Sequence, residues 1–282
     1  MIAWKITFIC LSFLFLIAIR LGNRFISLLL SIFAGLFMAF RPLDVGSDTR
    51  NYMVIFEIIS LATWEELFLL PYEWGYLACI KIVSFFVQDF RYFLVVFWFF
   101  LYYKASYAAN KVFTLFLFSP TLLIGVNGFR QFCAMFLFIL LYENKIGLKR
   151  LLTVSFHLSS IVLFLVKNSS KSIVITLLML NVGSFILIDY RYNFSIMAIL
   201  SGLSILLVAR LIKRKLGVID LSVALSMFYL LSGPKIFLRL AVYVWMMFFI
   251  SFAKNSTEKE VYFASLFIFI LTVCPILFLT NL

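Results

Sequence analysis

The stretch PLDVGSDTRNYMVIFEIISLATWEELFLLPYEWGY, residues 42–76, holds six of the chain's twelve acidic residues: Asp44, Asp48, Glu57, Glu65, Glu66 and Glu73. Outward from it, in both directions, the sequence turns apolar. Of 282 residues, 65% are hydrophobic and 13% are charged, whereas ordinary globular chains carry about 25% charged residues. Mean hydropathy is +1.13. Apolar runs of roughly 17–25 residues, long enough to span a bilayer, recur from end to end. No stretch of soluble-domain size remains. The sequence therefore predicts a single integral membrane domain over 1–282, with 41–73 as an external loop within it. The expected fold class is an all-α polytopic membrane protein: a bundle of about 10–12 transmembrane helices with an external amphipathic loop helix and re-entrant segments.

The expected spans are 2–19, 25–40, 74–88, 92–109, 111–126, 129–142, 151–166, 172–188, 194–209, 218–232, 236–253 and 261–279. Residues 1–20 lack a basic start and a small-x-small cleavage site, so they read as a retained first span rather than a signal peptide. The chain carries 24 Lys and Arg against 12 Asp and Glu, a net charge of +12. In a soluble protein that surplus would point to nucleic acid. Here the basic residues sit at span ends, as membrane topology demands, and nucleic acid is not expected as a partner. Cys10, Cys79, Cys133 and Cys274 lie singly in apolar runs with no CxxC pair, and read as packing residues.

Orientation follows from the basic clusters. Arg20 and Arg24, then Lys145, Lys149 and Arg150, then Arg210, Lys213, Arg214 and Lys215 all favour the cytoplasm. The 41–73 segment, with Arg41 and Arg50 against six acids, favours the outside. Five expected spans separate Arg24 from Lys145, an odd number between two cytoplasmic clusters. Three separate Arg150 from Arg210, with the same conflict. Either one segment in each interval is re-entrant, or one cluster is external.

Four groupings carry polar chemistry. In the acidic segment, Asp48 or Ser47 would cap a helix from Thr49, with Tyr52, Ile55, Phe56, Ile59 and Leu67 on its apolar side. Arg50, Glu57 and Glu65 would lie on the wet one. Either this is a solvated loop with an aromatic belt, or Asp48, Arg50 and Glu73 line a site. Next, Asn127-Gly128-Phe129-Arg130-Gln131 places Arg130 and Gln131 in the first turn of a new helix, where free N–H groups and the dipole attract an anion. A guanidinium there grips phosphate bidentately; the alternative is a snorkelling Arg. His157, the one histidine, lies inside an apolar run and is either a packing residue or a proton-transfer group. Arg239 and Tyr243 share a helix face after Gly233-Pro234, with snorkelling again the alternative. Arginines without a metal-ligand spacing suit a phosphate or diphosphate. There is no GxSxG, HExxH or Walker sequence, which weighs against an intramembrane protease or a nucleotide hydrolase.

The order of these motifs resembles a family. Asp-x-x-x-Tyr (Asp48, Tyr52) is followed by Glu-x-Gly-Tyr (Glu73, Gly75, Tyr76) and Arg-Gln-x-x-Ala (Arg130, Gln131, Ala134). His-x-Ser (His157, Ser159) and a late Arg-x-x-x-Tyr (Arg239, Tyr243) complete the series. The set, over about 200 residues, is similar to the EpsG-like branch of the Wzy-type polymerases of bacterial surface polysaccharide. That resemblance implies a glycosyltransferase on the outer face of the inner membrane. Its implied substrates are oligosaccharide repeat units on undecaprenyl diphosphate, joined without a metal or other cofactor into O-antigen, capsule or exopolysaccharide. A chain-length-regulating co-polymerase is the further partner it implies. By the same resemblance, His157 and Glu73 are the catalytic residues, with either as the base. Arg130, Gln131 and Arg239 bind the diphosphate, and Asp48, Arg50, Tyr52, Tyr76 and Tyr243 bind sugar. The competing readings are a membrane carrier or flippase for a lipid-linked or anionic solute, and a lipid-to-acceptor ligase.

Overall fold

The computed structural model describes residues 2–46, 48–106, 110–119, 122, 128–143, 155, 245–246 and 248–279. His157, Arg239 and Tyr243 lie outside them. So do the expected spans 172–188, 194–209 and 218–232, and most of 151–166 and 236–253. Among the described residues every regular element is helical, with no strand.

Helix α1 (Ile2–Leu21) is the one described helix long and apolar enough to cross a membrane by length and composition. Trp4, Phe8, Leu11, Phe15 and Ala18 repeat at three- and four-residue steps and form its buried face. Its opposite face is equally apolar: Ile6, Leu14 and Ile17 are exposed. Gly22, in the left-handed region at φ 64°, ends the helix, and its N–H bonds the Ile19 carbonyl. Asn23 then caps α2 (Arg24–Ala39) by accepting from the Ile26 N–H at 3.1 Å.

Helix α2 packs antiparallel against α6 (Phe90–Ser106) through a small-residue stripe, Ser27, Ser31 and Gly35. The Ser31 and Ser106 hydroxyls lie 3.4 Å apart. A Cβ at Gly35 would sit 2.8 Å from the Val95 carbonyl oxygen, so only glycine permits this approach. Forcing a larger side chain there costs about 1–3 kcal/mol by overpacking.

The α2–α3 elbow is held by Arg41, which is buried. Its guanidinium donates to the Met38 carbonyl (2.8 Å), to the Val45 carbonyl (3.3 Å) and to the Thr49 hydroxyl (2.9 Å). Thr49 in turn donates to Val45. Burial lowers the Arg41 pKa to about 10. Helix α3 (Thr49–Leu61) presents Tyr52, Phe56 and Ile59 to the core and exposes Arg50 and Glu57, as the amphipathic pattern requires. Asp48 stands at its N-cap position but makes no side-chain capping bond, contrary to expectation. The Arg41–Thr49 network holds this turn instead.

A capping box, Thr63 with Glu66, starts the short α4 (Trp64–Leu67). Helix α5 (Trp74–Ser84) corrects the expected span 74–88. It has 11 residues and so is about 16 Å long, half of what a hydrocarbon core of about 30 Å needs. It packs along α3: Tyr76 lies against Tyr52, and the Lys81 ammonium donates to the Ser60 carbonyl at 2.9 Å. That carbonyl belongs to the last turn of α3, where the dipole favours a cation. After α5 the chain returns to Phe90, whose ring lies against Phe56 and Phe129. Helix α5 therefore starts and finishes at one end of the bundle.

Helix α6 then runs the length of the bundle. Helix α7 (Lys111–Leu117), expected to extend over 111–126, ends at the Phe118 cap. Helix α8 (Phe129–Glu143) packs on α6 and α7 through rings, including Phe97 on Phe136, Trp98 on Phe132 and Phe116 on Phe132. Helix α9 (Glu258–Ile268) has its own Thr257–Glu260 capping box. It passes through a π-helical turn (Phe269–Val273) into α10 (Cys274–Leu279). Pro275 lacks an N–H, and the π turn just before it absorbs that break. Phe269 sits among Phe8, Phe13 and Phe118, joining this helix to α1 and the end of α7.

Candidate functional site

Three segments distant in sequence meet at the Arg41 end of the bundle. The first turn of α3 brings Asp48 and Tyr52. The approach to α5 brings Tyr72, Glu73 and Tyr76. The first turn of α8 brings Phe129 and Arg130. The Arg130 Nη1 donates to Glu73 Oε2 in an ion pair. The guanidinium lies over the Tyr72 ring, 4.9 Å from its centroid, and 5.9 Å from that of Tyr76. Such stacking suits the planar, weakly hydrated guanidinium. The Arg130 backbone N–H, one of the free donors of the α8 start, points at the Tyr52 hydroxyl at 3.5 Å. Tyr52 also packs edge-on against Tyr76 and Phe129.

The ion pair is half open. The Arg130 and Glu73 side chains are 25% and 23% exposed. A guanidinium carries five N–H donors, and the bond to Glu73 uses one. The tyrosines around it are more enclosed. Tyr76 is 1% exposed, and its hydroxyl has no partner among the described residues. Tyr52 and Tyr76 thus form an enclosed floor under Arg130.

Burial raises the Tyr52 phenol above its ordinary value of 10.0, the hydrogen bond and charge of Arg130 pull it back, and the Asp48 charge adds a push upward. The folded value exceeds the unfolded one. The stabilising share of Tyr52 is then complete below about pH 10 and lost as pH rises through the folded value. Thermal unfolding of the wild type should lose stability above pH 10 more steeply than Tyr52→Phe. Equal slopes would remove Tyr52 from the buried site.

The other expected site residues fall as follows. Arg50 is exposed and two residues from Tyr52, about 200° around α3, so it faces away from the cluster. Gln131, also in the first turn of α8, is buried. Asp48 is half-buried one turn before Tyr52. Among the described residues no group of His, Cys, Asp and Glu is placed to hold a metal.

One contributor escaped the sequence reading, and a second, Gly75 of the Glu-x-Gly-Tyr motif, has a structural reason that the motif did not show. Tyr72, beside Pro71, looked like part of an aromatic belt but stacks on Arg130. Gly75 is a close-approach glycine. Its N–H donates to the Ser155 carbonyl at 2.9 Å, with the Tyr76 N–H at 3.3 Å from the same oxygen. A Cβ on Gly75 would lie 2.1 Å from the Ser155 hydroxyl oxygen. The chain at 155, two residues before His157 in sequence, is thereby tied by main-chain bonds to the start of α5. Beside the ion pair, Trp74 stacks on Phe68 (centroids 4.1 Å apart) and tilts against Trp64, all three exposed.

No protein-family model, curated protein or solved structure matches the chain.

Proposed function

We propose that this chain is a polytopic enzyme of the bacterial inner membrane that polymerises undecaprenyl-diphosphate-linked oligosaccharides into surface polysaccharide. The carrying observation is the convergence on Arg130 of Glu73 and three tyrosines, from segments scattered between residues 48 and 130. In the proposed reaction the bond between the anomeric carbon and the diphosphate oxygen breaks. The acceptor hydroxyl oxygen bonds the anomeric carbon, and its proton passes to a base. Arg130 takes the charge that gathers on the departing diphosphate, a task a fixed guanidinium performs without a metal. Glu73, already engaged with Arg130, holds the guanidinium between Tyr72 and Tyr76 until the diphosphate takes its place. The base is His157 or Glu73; Arg239, Tyr243 and Gln131 complete the set carried over by resemblance.

Two further observations support the membrane reading. The outward faces of α1 and α2 are lined by large apolar side chains, among them Ile6, Leu14, Ile17, Leu29, Ile32, Phe33 and Leu36, all exposed. A water-facing bundle would not expose so continuous a band. With α5 discounted as a crossing, four segments rather than five separate Arg24 from Lys145. An even number is what two cytoplasmic basic clusters and an external acidic segment require.

The test is the surface glycan of a deletion strain. Single repeat units on the cell surface, without longer chains, are expected. Loss of all external units would mean a flippase, and long but unattached chains a ligase.

A further inference from the structure

At the other end of the bundle, beside Gly22, lies a cavity of about 110 Å³. Arg20 at the end of α1, Lys111 and Thr114 in the first turns of α7, and Glu258, Lys259 and Tyr262 in the first turns of α9 line it. Three cations against one carboxylate leave a surplus of two positive charges. Among the described residues Arg20, Lys111 and Lys259 form no ion pair. Lys111 is fixed in place: its ammonium donates to the Ser256 carbonyl at 2.7 Å and keeps two further donors. The Ser256 hydroxyl, in a residue 7% exposed, has no partner among the described residues. Like charges held around one cavity repel, and a bound anion removes that cost.

We infer that this cavity binds a phosphate group. Its volume exceeds several waters of about one probe sphere each. An Arg fork, two ammonium point charges and the Tyr262 phenol supply donors on several sides, as the oxygens of a tetrahedral oxyanion require. The phosphate belongs either to an anionic lipid headgroup or to a free ion. The exposed apolar residues Ile17 and Leu21, beside Arg20, offer acyl-chain contact and favour the lipid. This inference stands on residues separate from those of the proposed catalytic site, so either can fail alone.

The test uses the full chain in phosphatidylcholine nanodiscs, with binding read from thermal stabilisation and native mass spectrometry. One arm adds inorganic phosphate, and the other replaces part of the lipid with phosphatidylglycerol. Stabilisation by phosphatidylglycerol with one retained lipid, weakened about 25-fold in R20Q/K259Q, supports a headgroup site; each cation near an anionic lipid is worth roughly a factor of five. Stabilisation by both additions, lost in the same variant, supports recognition of the phosphate itself. Both substituted residues are exposed, so the variant keeps the core intact. Three results overturn the proposal: no stabilisation in either arm, stabilisation that survives in R20Q/K259Q, or an equal loss in K254Q, which removes an exposed charge outside the cavity.

Discussion

Arg130→Ala reduces long-chain surface glycan about 10²–10³-fold, the effect of deleting one donor aimed at developing negative charge. The loss is read as a vanished ladder on a gel, at a protein level matched to wild type by immunoblot. The variant is expected to fold, because the ion pair is about a quarter exposed and the Glu73 carboxylate left behind stays hydrated. Arg130→Lys restores little: an ammonium neither stacks as a plane between Tyr72 and Tyr76 nor grips two phosphate oxygens at once. Glu73→Gln gives a milder loss than Arg130→Ala if Glu73 only tethers the guanidinium, and a loss of about 10²–10⁴-fold if it is the base. A full ladder from Arg130→Ala at normal abundance ends the glycosyl-transfer reading of this site.

Arg41→Met is expected to destabilise the protein by about 2 kcal/mol. Two effects oppose each other. Removing the guanidinium strips a donor from the Met38 carbonyl, and each buried acceptor left unsatisfied costs about 1–3 kcal/mol. Val45 is partly spared, since Thr49 still donates to it. Against that, a guanidinium whose pKa burial has lowered to about 10 carries its own desolvation cost, which the apolar residue escapes. The hydrogen bonds win because the arginine has at least three acceptors at the elbow. The measurement is the unfolding midpoint in detergent, with proteolysis of residues 42–48 as a local readout. A variant as stable as wild type means that desolvation outweighs the clamp.

Much of the acidic segment was legible from its pattern. Apolar residues three and four apart defined the buried face of α3, and Arg50 and Glu57 fell on the wet face. The polar members of the Arg130 cluster were also legible as motifs, because charged groups in apolar sequence are conspicuous. Their convergence was not, since it depends on α5 lying along α3. Residues 74–88 have the composition of a span, but their length is short for a full crossing, and Lys81 is a second signal against one. A lysine in mid-span has to reach a polar partner, and this one reaches the end of α3. The Ser27–Ser31–Gly35 stripe was hidden for another reason: small residues contribute little to hydropathy, and their meaning appears only when a second backbone, that of α6, comes within contact. Tyr72 was missed because an aromatic residue near a span entrance reads equally as belt and as stacking partner.

The Trp74–Phe68 stack has an optical consequence. Of the chain's five tryptophans, Trp4, Trp98 and Trp245 are buried, while Trp64 and Trp74 are 43% and 40% exposed. Both exposed indoles lie at the Arg130 end, and Trp74 directly follows Glu73. Intrinsic fluorescence is therefore partitioned in space: the quencher-accessible, red-shifted fraction of the emission comes from the neighbourhood of the ion pair, and the shielded fraction from the core. A ligand that draws Arg130 away from Glu73 carries its own spectroscopic reporter, with no label attached.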